Sequence, residues 1–441
     1  MQSFKTALSH FLFRTWGHTG QWYRQHLADF ETDADTLYEI KLTHILKYAY
    51  EHVPYYRNIM KHAGIDQIDE ITAATIHHLP TLTKDIIRCE TTNLISDKQA
   101  NIPHFSNYSG GSTGEPVQFL QSMDFKYSAR VTKIIMDDML GYHVGQRKLL
   151  LWGSERDLFH NKEPLPIRIQ KFIKNEFWFN SFNMSDKKYE QCIHWIQNNS
   201  PKMILAYVES IYELSKLINK KHLNVPSPKV IMTTAGTLTD DFYHEIQQAF
   251  PCSIIANRYG SREVGDIACY HPLYQKLVVF HPTQYVEIID KNGNHVKKGE
   301  IGDVVVTNLT NKIMPLIRFK IGDVARYGGT INGKIILERV LGRTSDFFIN
   351  TNKEKVHGEY FTHLFYGKNW VKNFQVVQKK TDAIELNLSV DKEIFNEIEL
   401  DDIKDKIRLV MGKDCHIQTN FLKKIPSTKS GKYRYTISEV N

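Results

Sequence analysis

The stretch that decides the fold is residues 203–220, MILAYVESIYELSKLINK, where an apolar run passes directly into a helical pattern. Met203 to Val208 predicts a buried strand, and Glu209 to Lys220 predicts the helix after it. The alternation continues on both sides, with strand Lys148 to Trp152, helix Asp186 to Gln197, strand Lys229 to Thr234, a helix opened by Thr239, and strand Cys252 to Ala256. Strands joined by crossover helices form a mainly parallel sheet, so the sequence predicts an α/β core.

The hydrophobic pattern differs on the N-terminal and the C-terminal side of this core. Upstream, one apolar helical face runs from Leu42 to Ala49. After Gly260, short strands separated by turn dipeptides such as Asn292-Gly293 indicate an antiparallel or barrel-like portion. The last hundred residues restart as two strands, a helix and a final strand. We therefore expect a large N-terminal domain over residues 1–345 and a small C-terminal α+β domain over 346–441.

Composition and charge narrow the class of protein. The chain has 441 residues, of which 41% are hydrophobic and 24% charged, which excludes a disordered or collagen-like chain. Its net charge of +7 suits anionic small molecules but is too small for a nucleic-acid scaffold. Its five cysteines have no CxxC spacing, which predicts a reducing, cytoplasmic setting without a disulfide framework. No apolar run approaches the ~18–20 residues that a membrane span needs.

Two weaker features each have an ordinary alternative. The first 28 residues contain no acid and carry an apolar stripe that either lies on a membrane surface or, as is more usual, packs on the protein's own core. Its members are Phe4, Leu8, Phe11, Leu12 and Trp16. Cys269, His271 and His281 carry zinc-ligand chemistry, but their spacing is irregular and no clear fourth ligand accompanies them.

The sharpest local feature is residues 109–116, SGGSTGEP, with three glycines and three hydroxyls. Glycines allow backbone N–H groups to crowd around an anion, and hydroxyls add donors, so this pattern favours a phosphate-binding loop. It is not a Walker A loop, because no Lys-Ser/Thr pair follows the last glycine. A plain surface turn is the alternative.

Four further segments carry groups that a nucleotide would need. They are Arg258–Glu263 (RYGSRE), Arg318–Asp323 (RFKIGD), Gly342–Asp346 (GRTSD) and Pro426–Lys432 (PSTKSGK). Each is weak alone, since Asp323 could cap a turn, Glu263 could pair with a neighbouring arginine, and Lys432 could be a solvated tail lysine. Their order along the chain is the stronger signal.

In that order the five segments resemble the core motifs of the adenylate-forming superfamily, which includes acyl-CoA synthetases, peptide-synthetase adenylation domains and luciferase. Residues 52–57 (HVPYYR) and 79–84 (LPTLTK) are similar to the N-terminal signatures of the phenylacetate-CoA ligase group. Residues 204–210 and 315–323 look most like its CapK branch, whose name refers to capsular polysaccharide biosynthesis and fixes no substrate.

The resemblance implies a function. It implies a ligase that uses ATP and Mg²⁺ to convert a carboxylic acid into an acyl-adenylate with release of pyrophosphate, and then passes the acyl group to CoA. An amine or sugar acceptor is the variant, and a catalytically weak nucleotide-binding scaffold in polysaccharide biosynthesis is the alternative. No nucleic acid or membrane span is implied, and a homodimer is the favoured oligomer.

The resemblance also assigns roles to individual residues. Lys432, Glu263 and Arg262 are the catalytic candidates, with Glu263 also holding Mg²⁺, and Asp346 is the hinge about which the small domain rotates. The nucleotide-binding candidates are Ser109, Gly110, Gly111, Ser112, Thr113, Gly114, Ala235, Gly236, Tyr259, Gly260, Asp323 and Arg343. The acyl pocket is assigned to Trp152, Tyr207, Ser210 and Ser261.

Two departures from the family pattern bear on activity. Arg262 stands where a hydroxyl residue is usual, and Thr237 stands where an acidic residue is usual beside the adenine. They are the features that favour the scaffold alternative.

Overall fold

The computed structural model describes residues 2–109, 117–153, 165–181, 183–341, 347–365, 368, 370–423, 425 and 435–440. In these ranges the helices are α1 (Gln2–His10), α2 (Gly17–Glu31), α3 (Ala34–His52), α4 (Pro54–His62), α5 (Lys84–Cys89), α6 (Met123–Met139), α7 (Leu165–Lys174), α8 (Asp186–Asn199), α9 (Val208–Lys220), α10 (Asp240–Ala249), α11 (Gly358–Leu364) and α12 (Glu397–Met411). Shorter helical turns are a π-helix over Phe11–Thr15 and 3-10 helices over Ile68–Glu70, Ala73–His78 and Gln99–Asn101.

The strands in the same ranges are β1 (His104–Ser109), β2 (Val117–Ser122), β3 (Lys148–Leu151), β4 (Glu176–Phe179), β5 (Asn183–Met184), β6 (Met203–Tyr207), β7 (Val230–Thr234), β8 (Ile254–Ser261), β9 (Gly265–His271), β10 (Lys276–Val279), β11 (Gln284–Ile289), β12 (Ile301–Asn308), β13 (Phe319–Ile331), β14 (Lys334–Leu341), β15 (Phe347–Ile349), β16 (Lys355–His357), β17 (Val371–Lys380), β18 (Ala383–Val390), β19 (His416–Phe421) and β20 (Thr436–Ser438).

The α/β class predicted from the sequence is confirmed, and the predicted elements are present. The helix expected after Thr239 begins there because the hydroxyl of Thr239 accepts a hydrogen bond from the backbone N–H of Phe242. Most predicted strand ends differ from the observed ones by one or two residues, but β8 continues to Ser261, five residues beyond its predicted end at Ala256. Because of this extension, Tyr259 lies within the strand rather than after it.

The chain forms two compact units. The first contains residues 1–107, 118–146 and 256–342, and the second contains residues 108–117, 147–255 and 343–441. The C-terminal hundred residues therefore group with the central α/β segment, whereas the sequence predicted a separate domain from residue 346. A small domain that moves as a separate body stays a prediction.

The first unit contains an antiparallel sheet with the strand order β11-β12-β13-β14-β10-β9-β8. Its hairpins agree with the antiparallel portion predicted after Gly260, and Asn292-Gly293 forms the turn after β11, where Gly293 has φ +85°. The β8 and β9 strands are joined by a tight connection, with Gly260 opposite Asp266 and Ser261 opposite Gly265. This connection presents Arg262 and Glu263 at the end of β8.

Both N-terminal signature segments dock onto the segment that leads into β13. The hydroxyl of Tyr56 donates to the carbonyl of Pro315 at 2.8 Å and accepts from the N–H of Ile317 at 3.0 Å. Leu82 forms a parallel bridge with Phe319, through a hydrogen bond of 2.9 Å from Leu82 N to the carbonyl of Arg318. The signatures therefore position the chain around β13 and place Lys84 two residues beyond the bridge.

The second unit contains the predicted parallel sheet, with the strand order β7-β6-β3-β4. Helices α8, α9 and α10 contribute apolar side chains to a core with these strands, among them Ile193, Leu214 and Ile246. The two central strands, β3 and β6, are buried at every position, as is typical of parallel strands covered on both faces. Their carboxyl ends lead into Trp152, Val208 and Ala235.

The C-terminal part of the second unit is the predicted α+β fold. Its sheet has the order β19-β18-β17-β20, with β17 and β18 antiparallel and the outer strands parallel to their neighbours. Helix α12 buries Leu400, Ile403 and Ile407 in the core of this part. A small three-stranded sheet, β15-β16-β5, links it to the α/β segment of the same unit.

The sequence favoured packing of the N-terminal apolar stripe on the protein's own core. In the structure this packing is incomplete. Phe4, Phe11 and Trp16 remain exposed, with between 53% and 66% of each side chain accessible. Within the described ranges no helix combines the length and the apolar character needed to cross a bilayer.

Candidate active site

The centre of the candidate site in the first unit is a buried ion pair between Lys84 and Glu263. Lys84 Nζ lies 3.1 Å from Glu263 Oε1, and each side chain is only 7% exposed. Burial alone would raise the pKa of Glu263, but the charge of Lys84 and its hydrogen bond outweigh burial and hold the pKa below its ordinary value. Glu263 is therefore a carboxylate at neutral pH, in a position shielded from water.

The loop that carries Glu263 is fixed through its backbone. Gln121 on β2 donates from Nε2 to the carbonyl oxygens of Arg262, at 2.7 Å, and Glu263, at 3.2 Å. Gln284 and Asn308 both donate to the carbonyl of Val264. Because these donors come from different strands, the loop is held at several points and the carboxylate of Glu263 is preorganised.

Tyr259 and Asp323, two predicted nucleotide-binding residues, touch each other. The hydroxyl of Tyr259 on β8 donates to Asp323 Oδ2 on β13 at 2.9 Å. Both side chains are half-buried. The contact orients the Asp323 carboxylate and leaves part of it accessible, as a group that accepts ribose hydroxyls requires.

The neighbours of Glu263 in sequence have different surroundings. The side chain of Arg262 is exposed, and that of Ser261 is half-buried. Gly260 is required by packing, since a Cβ there would lie 2.7 Å from the backbone oxygen of Gly265. The Glu263–Arg258 pairing considered as an alternative is not present, because Arg258 is paired with Asp266 at 3.4 Å.

A second group of predicted residues lies at the carboxyl ends of the parallel strands in the second unit. The rings of Trp152 and Tyr207 are in contact, with centroids 4.4 Å apart. Tyr207 is only 2% exposed and belongs to the apolar cluster that includes Phe348 and Tyr360. Ser210 is fully buried, and its hydroxyl has no hydrogen-bond partner among the described residues. The acyl-pocket role of these residues stays a prediction.

The turn after β7 contains the residues predicted to flank the adenine. Ala235 has φ +58°, in the left-handed region that non-glycine residues seldom adopt. A Cβ on Gly236 would lie 2.8 Å from a carboxylate oxygen of Glu209, so a larger residue here would have to displace that side chain. Residues held in such conformations cluster at ligand sites, which agrees with the predicted role without testing it.

Several predicted residues fall outside the described ranges. These are Gly110, Gly111, Ser112, Thr113, Gly114, Arg343, Asp346 and Lys432, together with the side chain of Ser109. The phosphate-binding loop, the hinge and the catalytic lysine thus stay predictions from the sequence.

Known proteins resemble this chain over most of its length. Residues 348–439 match the family model of the CapK C-terminal domain. Protein CapK of Staphylococcus aureus is 24% identical over 401 residues, which cover 89% of this chain and 86% of that protein. Phenylacetate-coenzyme A ligase of Thermus thermophilus is 21% identical over 397 residues, which cover 84% of each chain. Over most of its length the chain is thus similar to CapK and to a phenylacetate-coenzyme A ligase. The family resemblance predicted from the motifs is thereby confirmed.

The fold of this CapK-like chain is similar to that of a solved acyl-CoA ligase. 2-Hydroxyisobutyryl-CoA ligase, in complex with 2-HIB-AMP and CoA in the thioesterification state, superposes with a TM-score of 0.56 at 15% identity, over 92% of this chain and 90% of the ligase. The same ligase in the postadenylation state with 2-HIB-AMP gives a TM-score of 0.52 and covers 90% of this chain and 88% of the ligase.

Lys84 is the site residue that the sequence reasoning missed. It stood in the 79–84 signature but received no role, because nothing local shows that it pairs with Glu263, 179 positions later. One signal was available: Lys84 is the first residue of α5, whose N-cap is Thr83. A cation is unfavourable near a helix N-terminus, but this effect alone does not identify a partner for the lysine.

The chemistry of Glu263 fits a magnesium ion that arrives with a nucleotide. Mg²⁺ in phosphate-transfer sites is held by one or two carboxylates together with substrate phosphates and water. Glu263 supplies one anionic carboxylate, and the Lys84 ammonium beside it favours anionic oxygens at the same place. The weaker zinc candidate formed by Cys269, His271 and His281 has no counterpart among the metal-competent clusters of the described chain.

Proposed function

We propose that the chain is an ATP-dependent acid ligase that converts a carboxylic acid into an acyl-adenylate, releases pyrophosphate and passes the acyl group to CoA. The observation that carries the proposal is the buried Lys84–Glu263 pair in the same unit as the Tyr259–Asp323 contact. It is supported by homology to a phenylacetate-coenzyme A ligase and by the fold of 2-hydroxyisobutyryl-CoA ligase.

The first half-reaction brings two anions together. An oxygen of the substrate carboxylate attacks the α-phosphorus of ATP, a P–O bond forms, and the bond to the pyrophosphate leaving group breaks. The ammonium of Lys84 offsets the negative charge that accumulates there, while Asp323 accepts the ribose hydroxyls and fixes the nucleotide. Mg²⁺ held by Glu263 would neutralise phosphate charge when bound. Fixed charges aimed at the reacting group are usually the largest catalytic contribution.

In the second half-reaction a thiol attacks the acyl carbon and AMP leaves. The resemblance assigns the Lys432 ammonium to the first half-reaction only, so the C-terminal domain would rotate about Asp346 before the thiol attacks. Motions of this kind allow one site to run two reactions in sequence. Transfer of the acyl group to an amine or sugar acceptor is the variant of this step.

A catalytically weak nucleotide-binding scaffold is the second candidate function. The exposed Arg262 and the Thr237 position favour it, because neither supplies the group that is usual in the family pattern. A scaffold would use the same nucleotide contacts without turning over an acid.

Pyrophosphate release with a panel of aryl and short aliphatic acids separates these functions. We expect acid-dependent release with at least one acid, and formation of an acyl-CoA when CoA is added. If pyrophosphate is released and the acyl group is transferred to an added amine or amino sugar without CoA, that nucleophile is the acceptor instead. Binding of ATP without release with any acid would support the scaffold.

A further inference from the structure

Three metal-competent side chains meet in the first unit at a place that the proposed reaction does not use. Glu287 lies on β11, His295 follows the Asn292-Gly293 turn, and His77 lies in the 3-10 helix Ala73–His78. His295 Nε2 is 3.3 Å and His77 Nδ1 is 3.9 Å from Glu287 Oε1. All three ligand atoms lie within 4.8 Å of one another.

One of these distances already matches the needs of a tetrahedral ion, and the others require the half-exposed imidazoles to move closer. Zinc binds nitrogen and oxygen at about 2.0–2.2 Å, so two ligands of one tetrahedral ion lie roughly 3.3–3.5 Å apart. The His295–Glu287 distance already meets this spacing, and a shift of about half an ångström at His77 would meet it as well. The two imidazoles are half-exposed, which gives an ion a route from solvent.

The carboxylate of Glu287 is buried, with 1% of its side chain exposed, and its Oε1 faces both imidazoles. That oxygen accepts no well-aligned hydrogen bond, although Arg318 Nη2 lies 3.0 Å from it. The other oxygen accepts from Arg318 Nε at 3.0 Å. Oε1 is thus a buried anionic acceptor with unused capacity on the side of the histidines.

Arg318 competes with an ion for this carboxylate and also orients it. Its guanidinium also donates to the carbonyl of Leu79, which fixes the direction of the side chain. Ligating carboxylates in metal sites are commonly hydrogen-bonded by an outer group that fixes their direction. Each carboxylate oxygen has two lone pairs, so Glu287 can contact Arg318 and an ion together.

We propose that His77, Glu287 and His295 form a binding site for a divalent transition metal of the zinc class, with a fourth position left for water. Two imidazoles and one carboxylate favour such ions over magnesium or calcium, which prefer oxygen ligands. The bound ion ties the 3-10 helix of His77 to β11. Residues 79–84 follow that helix directly. The ion therefore also restricts the motion of the segment that positions Lys84 beside Glu263.

Calorimetric titration of the metal-free protein with Zn²⁺, with Co²⁺ absorption as a second readout, tests the site. We expect one equivalent of tight binding and the visible bands of tetrahedral Co²⁺. His77→Ala and His295→Ala should each weaken that binding by about tenfold or more. Both side chains are half-exposed, so these variants are expected to fold, and unchanged melting temperatures check this.

His62→Ala is the matched control, because His62 is an exposed histidine of the same unit whose Nδ1 lies 2.6 Å from the carbonyl of Asn58. It should leave both readouts unchanged. Zn²⁺ binding that is absent in the unmodified protein, or that is equal in all three variants, would overturn the proposal. The titration uses no acid or nucleotide, so its failure is distinguishable from failure of the ligase proposal.

Discussion

Glu263→Gln is expected to lower acid-dependent pyrophosphate release by about 10²–10³-fold, because it removes the carboxylate that pairs with Lys84 and that we propose as the Mg²⁺ ligand. Glutamine keeps the size of the side chain, so the loss reports charge rather than packing. Steady-state rates at saturating acid and MgATP, with the acid identified by the panel, measure it. Glu190→Gln is the control: Glu190 forms an exposed ion pair with Lys221, and its loss should change the rate less than twofold.

A double variant distinguishes catalysis from stability at this pair. Lys84→Met alone leaves a buried, unpaired Glu263, which typically costs about 3–5 kcal/mol of unfolding free energy. Adding Glu263→Gln removes that buried charge, so the double variant should recover most of the stability without recovering activity. A double variant that is stable and releases pyrophosphate at the normal rate would show that the pair is only structural.

Lys432→Ala is expected to separate the two half-reactions. The resemblance places this lysine against the acyl carboxylate and the α-phosphate, so its loss should reduce adenylation by about 10²–10³-fold. Conversion of a synthetic acyl-adenylate and CoA to acyl-CoA should continue at close to the normal rate. Single-turnover assays of each half-reaction measure the two effects separately.

Lys429→Ala is the matched control for this variant, since Lys429 lies three residues earlier in the same PSTKSGK segment and carries the same charge. It should leave both half-reactions within a few-fold of normal. Equal loss of both half-reactions in Lys432→Ala would count against the division of labour between the two steps.

The elements of the fold were largely readable from the sequence because their signals are local. The strand and helix of residues 203–220 follow from an unbroken apolar run and then a period of 3.6, and the structure gives Met203–Tyr207 and Val208–Lys220. The final strand, His416–Phe421, matches its predicted bounds. The end of β8 was missed because Arg258–Ser261 pair with β9 at a tight turn, which their own polarity does not reveal.

The site was only partly readable because its contacts join distant segments. The motif order led to Glu263, Tyr259 and Asp323, and the structure brings Tyr259 and Asp323 into contact. The partner of Glu263 comes from residue 84, and a single sequence contains no signal for a pairing across that separation. The same holds for the grouping of residues 343–441 with 147–255, in which Tyr207 belongs to the same buried apolar cluster as Phe348 and Tyr360.

Calorimetric titration of the folded protein with MgATP tests the central claim, that one nucleotide is bound around Glu263, Tyr259 and Asp323, and it requires no knowledge of the acid. We predict saturable binding of one equivalent, weakened about tenfold or more by Asp323→Ala, which removes the proposed acceptor for the ribose hydroxyls. Charged hydrogen bonds of this kind contribute about 1.5–3 kcal/mol. Absence of measurable heat with either MgATP or AMP, or binding that Asp323→Ala leaves unchanged, would contradict the account.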